Sequence, residues 1–455
     1  MLTKNDGQIR LVTMTIEDLM PEDHFLRDLD KYVDFSFIYE KVEHLYSKTG
    51  RPSIDPVVLF KMILLGFLYG IESERRIEKE INVNIAYKWF LKLSLDEKSP
   101  DHCTISQTRK RKFDDIEIFR DIFNEIIRRC VEAGLVNGEN LVVDSTHVKA
   151  NVAKDKREIV TVDVEPSAYM KKLDETALDE GLITETQKKH SATEELKTKK
   201  ITKSITDPDC GMLNRPKKPK DFYYLSHETT DAESGIITDV FVTSANTSDI
   251  TPCVSRIKHQ IDTFGFDTKA IGADKGYDYT ELHHEMFELG IKTYIPQREQ
   301  ENYNVYSVHN FTYNQENDVF ICPNGCLLRF SYYHRSKRTK RYKTRVKDCT
   351  DCPSRAKCIS GKSKTKEVEI PYFYEAAKKQ RENNSTDKFK YIQRLRKIRC
   401  EGNFSIQKEC HNLRRTYKRG NERVTAHCLF SALALNLRRL VRYLKESQLT
   451  ANIAA

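Results

Sequence analysis

Apolar positions along the chain change period near residue 135, and that change divides the sequence. Before it they recur at helical spacing. TIEDLM predicts a helix start with Thr15 as cap and Glu17 in the first turn. RPSIDPVVLFKMILLGFLYG sets Pro56 at a first helical position behind Asp55. SERRIEKEINVNIAYKWFLKL follows and then, after an SPDH turn, CTISQTRKRKF. Short helices with a basic terminal segment suit a helix-turn-helix-like DNA-binding module and suit a plain helical bundle equally.

From about residue 137 strand signals take over. ENLVVDSTHV reads as a strand, and KDFYYLSHETTD and GIITDVFVTSAN as a β-hairpin around the turn Asp231-Ala-Glu-Ser-Gly235. TPCVSRIKHQIDTFG then predicts a helix, KAIGADKGYD a strand, TELHHEMFELG a helix and IKTYIP a strand, the alternation of a parallel α/β layer. Between the first strand and the hairpin, residues 154–206 are charged and poor in large apolar side chains, which predicts a helical or flexible insertion outside the core. A polar, cysteine-bearing interruption spans 299–385. KFKYIQRLRKIRCEGNFSIQKECHNLRRT and ERVTAHCLFSALALNLRRLVRYLKE close the chain as two strong helices. The expected units are therefore a helical segment over 1–135, a core in two parts over 136–153 and 207–298, the insertions at 154–206 and 299–385, terminal helices over 386–446 and a tail over 447–455.

Charge and cysteine content narrow the function. The formal net charge over 455 residues is only +9, but it is unevenly placed. Asp387 to Lys445 holds sixteen Lys or Arg against four Asp or Glu, and RSKRTKRYKTRVK at 335–347 has eight basic residues in thirteen and no acid. Such blocks suit a polyanion, because each neutralised phosphate releases condensed counterions. The most apolar stretch, residues 57–70, is too short to span a bilayer and carries Lys61. With no apolar leader in MLTKNDGQIRLVTMT, a cytosolic protein without a membrane partner is expected, and its twelve cysteines should be thiols or metal ligands. Cys322 and Cys326, then Cys349 and Cys352, form two close pairs with Cys358 just beyond, a spacing that fits a tetrahedral zinc site with one ligand to spare.

The acids carry the chemistry. LVV leads straight into Asp144, and AIGA straight into Asp274, so two apolar strands each deliver a carboxylate at the C-terminal end. Two such aspartates suit Mg²⁺, a hard ion that prefers carboxylate oxygen. A third acid would let the site hold two ions and run an in-line phosphoryl displacement. Glu401 is the candidate: with Phe404 and Lys408 it shares one helix face, which places a carboxylate over the sheet and a lysine two turns on to meet phosphate. Arg414, Arg415, Lys418 and Arg419 follow.

At these residues the chain resembles the DDE transposases of bacterial insertion sequences. The N-terminal helices with SPDHCTISQTRKR look like that family's helical domain; VVDSTHVKAN and IGADKGYD look like its two aspartate strands; EGNFSIQKECHNLRRTYKRG is similar to its glutamate helix. The resemblance implies an RNase H-like mixed sheet with flanking helices, an all-α N-terminal part and a Cys-containing insertion. It implies Asp144, Asp274 and Glu401 as a metal-binding triad for two Mg²⁺ ions, with Mn²⁺ as substitute, and Lys408 as a DNA contact. Related enzymes place an arginine four residues before the glutamate and a tyrosine three before that. Here Lys397 and Arg394 stand there, with Tyr391 and Arg396 displaced nearby, and a lysine meets phosphate as a point charge only. Lys397, Arg414, Arg415 and Arg419 complete the expected DNA contacts. The implied activity is cleavage and strand transfer of an insertion sequence, acting on terminal inverted repeats and target DNA as a homodimer at the nucleoid. A nuclease of the same fold without strand transfer, and a non-catalytic DNA-binding descendant, are the alternatives.

Overall fold

In a computed structural model of the chain, residues 13–454 are described apart from 48, 50–52, 113–115, 165–167, 180, 184–196, 214–219, 299–305, 307, 315, 335–338 and 360–361. Parts of both expected insertions, the first four residues of the basic run and residues 1–12 therefore lie outside the described residues.

The N-terminal part is helical. Short helices α1 to α3 (Ile16–Leu19, Phe25–Tyr32, Phe37–Val42) lead into α4 (Pro56–Leu68), α5 (Glu74–Val83), α6 (Ile85–Phe90), α7 (His102–Lys112) and α8 (Ile116–Glu132). Both expected starts are present. Thr15 forms a capping box with Asp18, and Asp55 Oδ1 accepts from the Val57 N–H at 2.7 Å while Pro56 opens α4.

The central sheet begins with β1 (Asn140–Lys149). The segment after it is not simply helical: β2 (Arg157–Val164) pairs antiparallel with β3 (Lys197–Ser204), with α9 (Ala168–Asp179) between them. Alternating Thr, Val, Ile and Lys lets these charged stretches form a ribbon without a core of their own. Strands β4 (Gly211–Leu213), β5 (Asp221–Asp231) and β6 (Ile237–Ser244) follow. Next come α10 (Ile250–Phe264), β7 (Ala270–Gly272), α11 (Thr280–Glu288) and β8 (Lys292–Tyr294). The order across the sheet is β6-β5-β1-β7-β8, with β4 beside the far end of β5. β5 runs antiparallel to β1 and to β6, whereas β1, β7 and β8 are parallel. Counted without the inserted strands this is the 3-2-1-4-5 arrangement of an RNase H-like core.

The cysteine-rich interruption is a folded unit. Strands β9 (Thr312–Asn314), β10 (Val319–Ile321), β11 (Leu327–His334), β12 (Thr339–Lys343) and β13 (Glu367–Pro371) make an antiparallel sheet over a small core that includes Phe320, Leu328 and Tyr342. Its turns carry α12 (Val346–Thr350) and α13 (Arg355–Cys358). The described part of the basic run lies on β12, where Arg341 pairs with Glu367 and Glu369 at 3.3 and 3.2 Å and Lys343 with Glu367 at 2.9 Å. Opposite charges on the neighbouring strand, invisible to a local count, take up those cations.

The chain ends with α14 (Tyr374–Asn384), α15 (Asp387–Arg396), a π-helical turn over Lys397–Glu401, α16 (Gly402–Cys410) and the long α17 (Asn421–Ala454). One face of the sheet packs on α10 and α11 through Leu141, Val143, Ile271 and Tyr277. The other face joins α15 to α17 and the N-terminal helices in one continuous core, from Leu26 and Phe60 through Val142 and Tyr224 to Leu437. The change of pattern near residue 135 is thus a change of secondary structure that a shared core crosses. No described helix is long and apolar enough to cross a membrane.

Candidate active site

Parallel pairing sets the two aspartates side by side. Leu141 stands opposite Ile271 and Val142 opposite Gly272, so two residues further on Asp144 is level with Asp274. Alternation then turns both carboxylates toward the face covered by α15 and α16. One expectation needs correcting. Asp144 does not end its strand; β1 continues to Lys149 because β5 keeps hydrogen-bonding it as far as Tyr223, although β7 stops at Gly272. The aspartate lies where the strand loses its parallel neighbour.

Close approach of α15 is what equips the site. At Gly272 a Cβ would stand 2.4 Å from Ile392 Cγ2, so only glycine lets this helix lie on β7. Gln393 Nε2 donates to the Ala273 and Tyr294 carbonyls at 3.0 and 2.6 Å and ties the helix to the ends of β7 and β8. Arg396, at the end of α15, then donates from Nη1 to Asp144 Oδ2 at 2.8 Å, and its Nη2 stands 3.9 Å from Glu401 Oε1. Its Nε–H is buried with no hydrogen-bond partner. The π turn carries Glu401 to the solvent side, its side chain 55% exposed. Such turns insert one extra residue into a helical run and frequently lie at functional sites.

The remaining partners are short-range. Asp144 Oδ1 accepts the Ser145 N–H at 2.8 Å, and Asp274 Oδ1 accepts the Gly276 N–H at 2.7 Å. Ser145 Oγ donates to Asp249 Oδ1 at 2.6 Å, bringing a fourth carboxylate near. Burial pushes the Asp144 carboxyl up to about 6, opposed by the Ser145 N–H and Arg396 and reinforced by Asp274 and Asp249. Tyr277 is buried, and its hydroxyl has no hydrogen-bond partner. Burial raises its pKa, and Cys253, Asp249, Asp144 and Asp274 add to the rise. A pocket of carboxylates this crowded, with one guanidinium as counter-charge, fits a divalent cation in chemistry. In geometry it is open: among the described residues, the group with three ligand atoms mutually within 4.8 Å is Asp101, His102 and Cys103, not these acids.

Of the expected DNA contacts, Lys408 reaches the site and donates to Thr146 Oγ1 on β1. Lys397 is exposed at the start of the π turn. Arg414 pairs with Glu409, Arg415 lies 5.2 Å from the Tyr417 ring, and Arg419 Nε donates to the Asn151 carbonyl at 3.0 Å; all three are exposed. Tyr391 is elsewhere, its hydroxyl on Glu233 at 2.9 Å by the β5–β6 turn. His227 lies on the other face with Thr243 Oγ1 at 2.8 Å, and burial pushes it down to about 4.

Glu228 was not foreseen. It faces Asp144 in the β1–β5 register and is 2% exposed. Gln407 Nε2 donates to its Oε2 at 2.8 Å, and burial pushes it up to about 8. A glutamate inside the strand pattern of KDFYYLSHETTD carries no local sign of this.

The five clustered cysteines gather around one cavity, without any three of their sulfur atoms lying mutually within 4.8 Å. Cys322, Cys326, Cys349, Cys352 and Cys358 line one small cavity between the β10–β11 turn and α12 and α13. Asn324 Nδ2 donates to Cys352 Sγ at 3.1 Å, and burial, with Cys322 and Cys349 nearby, pushes the Cys326 thiol up to about 11.

The core is thus an RNase H-like sheet with two acids level at its central parallel strands, one within β1 and one just past β7. Two family models match the chain: the transposase domain DUF772 over residues 14–111 and the transposase DDE domain over residues 321–441, which includes Glu401. Together these two matches support a DDE transposase of insertion-sequence type. No curated protein matches it. Among solved structures it is similar to the piggyBac transposase synaptic complex with hairpin DNA, at 10% identity and a TM-score of 0.33, over 95% of this chain and 80% of that one.

Proposed function

We propose that Asp144, Asp274 and Glu401 form the catalytic centre of a transposase that cuts and rejoins the DNA of an insertion sequence. The observation that carries this reading is the level placement of Asp144 and Asp274 on adjacent parallel strands, with Arg396 spanning from Asp144 to Glu401. Two Mg²⁺ ions, or Mn²⁺ in their place, would be held by the three carboxylates and would polarise the attacking and leaving oxygens of an in-line displacement. The protein's own part is positional. β1 and β7 fix the two aspartates rigidly, and the Ser145 and Gly276 N–H groups leave one oxygen of each carboxylate turned away from the backbone. Lys408, bound to β1 at Thr146, is set beside the acids to meet a phosphate. A water oxygen attacks phosphorus as the P–O3′ bond breaks, and the departing 3′-oxygen takes up a proton; the freed 3′-hydroxyl then loses its proton and attacks a target phosphorus, whose own P–O3′ bond breaks to release a target 3′-hydroxyl. Lys397, Arg414, Arg415 and Arg419 would hold the DNA backbone, and two copies would assemble on paired ends.

The test is a supercoiled plasmid carrying the element's flanking repeats, incubated with protein and Mg²⁺. Excised element with strand-transfer product supports the proposal. Cleavage alone would indicate a nuclease, and binding alone a non-catalytic descendant.

The cysteine cavity supports a structural zinc site using four of the five thiols. Burial and the neighbouring thiols raise the pKa of Cys326, and a dication would stabilise thiolates crowded in this way. Less than about half an equivalent of zinc per purified chain would rule it out.

A further inference from the structure

A cavity that the transposase reading leaves unused lies between α4, α7 and the start of α17. It has a volume of about 390 Å³, within the range of small-molecule sites. Its floor is apolar and largely aromatic: Ile63, Phe67, Phe119 and Phe430. Phe67 and Phe430 are stacked, with centroids 5.4 Å apart and planes 17° apart. Its rim is cationic, with Arg109, Lys418, Arg419 and Arg423. Glu74 lies behind Arg109 and Lys418 at 2.6 and 2.9 Å, and Glu422 joins the rim, so four cations face two carboxylates. His427 adds no charge, because burial pushes it down to about 4.

An apolar ring floor under a cationic rim matches one chemical class, a planar base joined to phosphate. Charge also leads to the cavity from the acids. Lys408 stands beside Thr146, the Arg415 backbone bridges to that of Lys149 at the end of β1, and the Tyr417 carbonyl accepts from the Asn151 amide at 3.1 Å at the rim. From Asp144 to Lys149 the strand rises about 17 Å, or roughly five base pairs of duplex.

We propose that this cavity binds one unstacked nucleotide of the bound DNA, its base on the Phe67–Phe430 floor and its phosphates on the Arg109, Lys418, Arg419 and Arg423 rim. The proposal rests on the transposase reading for the presence of DNA and adds a site remote from the cleaved bond. Unpaired bases stack on aromatic side chains with little regard to sequence, so the pocket would read a distorted position rather than a base identity.

The test uses the full chain with two duplexes, one fully paired and one carrying a single bulged 2-aminopurine. The bulged duplex should bind about tenfold more tightly, with 2-aminopurine fluorescence quenched by stacking. Phe67→Ala should abolish the preference and the quenching while leaving paired-duplex binding in place. Arg423→Ala, at the exposed rim, should reduce the preference and guards against misfolding of the first variant. Equal binding of the two duplexes by wild type, or a preference that survives in both variants, overturns the proposal alone. Quenching of a free 2-aminopurine nucleotide without any preference between duplexes would give the cavity to a soluble nucleotide, also overturning it. Failure to bind either duplex would overturn the transposase reading, and this proposal with it.

Discussion

Two carboxyl groups face each other across the β1–β5 ladder, Asp144 and Glu228, and their surroundings separate them. Asp144 lies where β7 has ended, has Arg396 at 2.8 Å and is raised to about 6. Glu228 lies between β1 and β6, is fully enclosed, has the amide of Gln407 for its hydrogen-bond donor and is raised to about 8. Burial drives both shifts and is more complete at Glu228; at Asp144 it is opposed by the Ser145 N–H and then by the Arg396 guanidinium. At neutral pH Asp144 is mostly ionised and open to a cation, whereas Glu228 mostly keeps its proton. Two acids at one level of one sheet therefore differ in how readily they ionise.

The strongest way to break that comparison is to neutralise each acid in turn. Asp144→Asn should lower Mg²⁺-dependent cleavage on the order of 10³-fold or more. Glu228→Gln keeps the shape and an acceptor for Gln407, and should leave cleavage close to wild type. If the two variants lose activity equally, Glu228 belongs to the reacting centre and the division fails.

A second prediction concerns stability against pH. Glu228 has a folded pKa raised from 4.5 to about 8, so the folded state holds a proton that the unfolded state releases. Stability should fall as pH rises through that interval, by roughly a few kcal/mol in total. Asp144 acts in the same direction only up to about 6, and the buried His227 and His427, with pKa values lowered to about 4, add stability as pH rises to 6.5. The window between pH 6.5 and 8 thus isolates Glu228. Urea midpoints measured across it in metal-free protein should decline for wild type and stay level for Glu228→Gln.

What could be read from the residues alone follows from range. Asp144 and Asp274 were legible because an apolar β-branched run fixes a strand and a charge immediately after it is conspicuous. The parallel side of the sheet followed from the alternation of strands and helices and the hairpin from its turn, whereas the RNase H-like arrangement came only with the family resemblance. Glu228 was hidden, since a strand's pattern does not show which neighbours enclose it. Arg396 was hidden because its contact spans 252 residues and depends on the π turn that follows. Within the basic run at 335–347, Arg341 and Lys343 pair with Glu367 and Glu369 on the next strand, which no local count of charge shows. By contrast, the cysteine pairs were legible as a group, because turn spacing brings each pair together locally.

A third and smaller effect tests how Arg396 is delivered. Gly272→Ala would place a Cβ 2.4 Å from Ile392 Cγ2 and 3.2 Å from Val142 Cγ1, lifting α15 from β7. The cost should be about 1–3 kcal/mol in urea unfolding. Ile392→Ala in the same chain should recover part of it, giving a coupling on the order of 1 kcal/mol. Additive losses would show that α15 is not held by this contact.

The smallest effect is a shift in a pH profile, and it bears most directly on why Asp144 differs from Glu228. Arg396→Ala removes the guanidinium that opposes the burial of Asp144, so the aspartate should ionise only at higher pH. Metal ligands must be deprotonated, so the acid limb of Mn²⁺ binding should move up by about one pH unit. Binding should be weaker than wild type near pH 6. Near pH 8, where Asp144 is ionised in either protein, it should be no weaker, because the guanidinium no longer stands before the carboxylate. Arg396→Lys keeps a charge but not the fork, and should fall between the two. Mn²⁺ electron paramagnetic resonance titrations at both pH values read this without any turnover. An unmoved acid limb would mean that the open edge beyond β7, rather than Arg396, keeps Asp144 unlike Glu228.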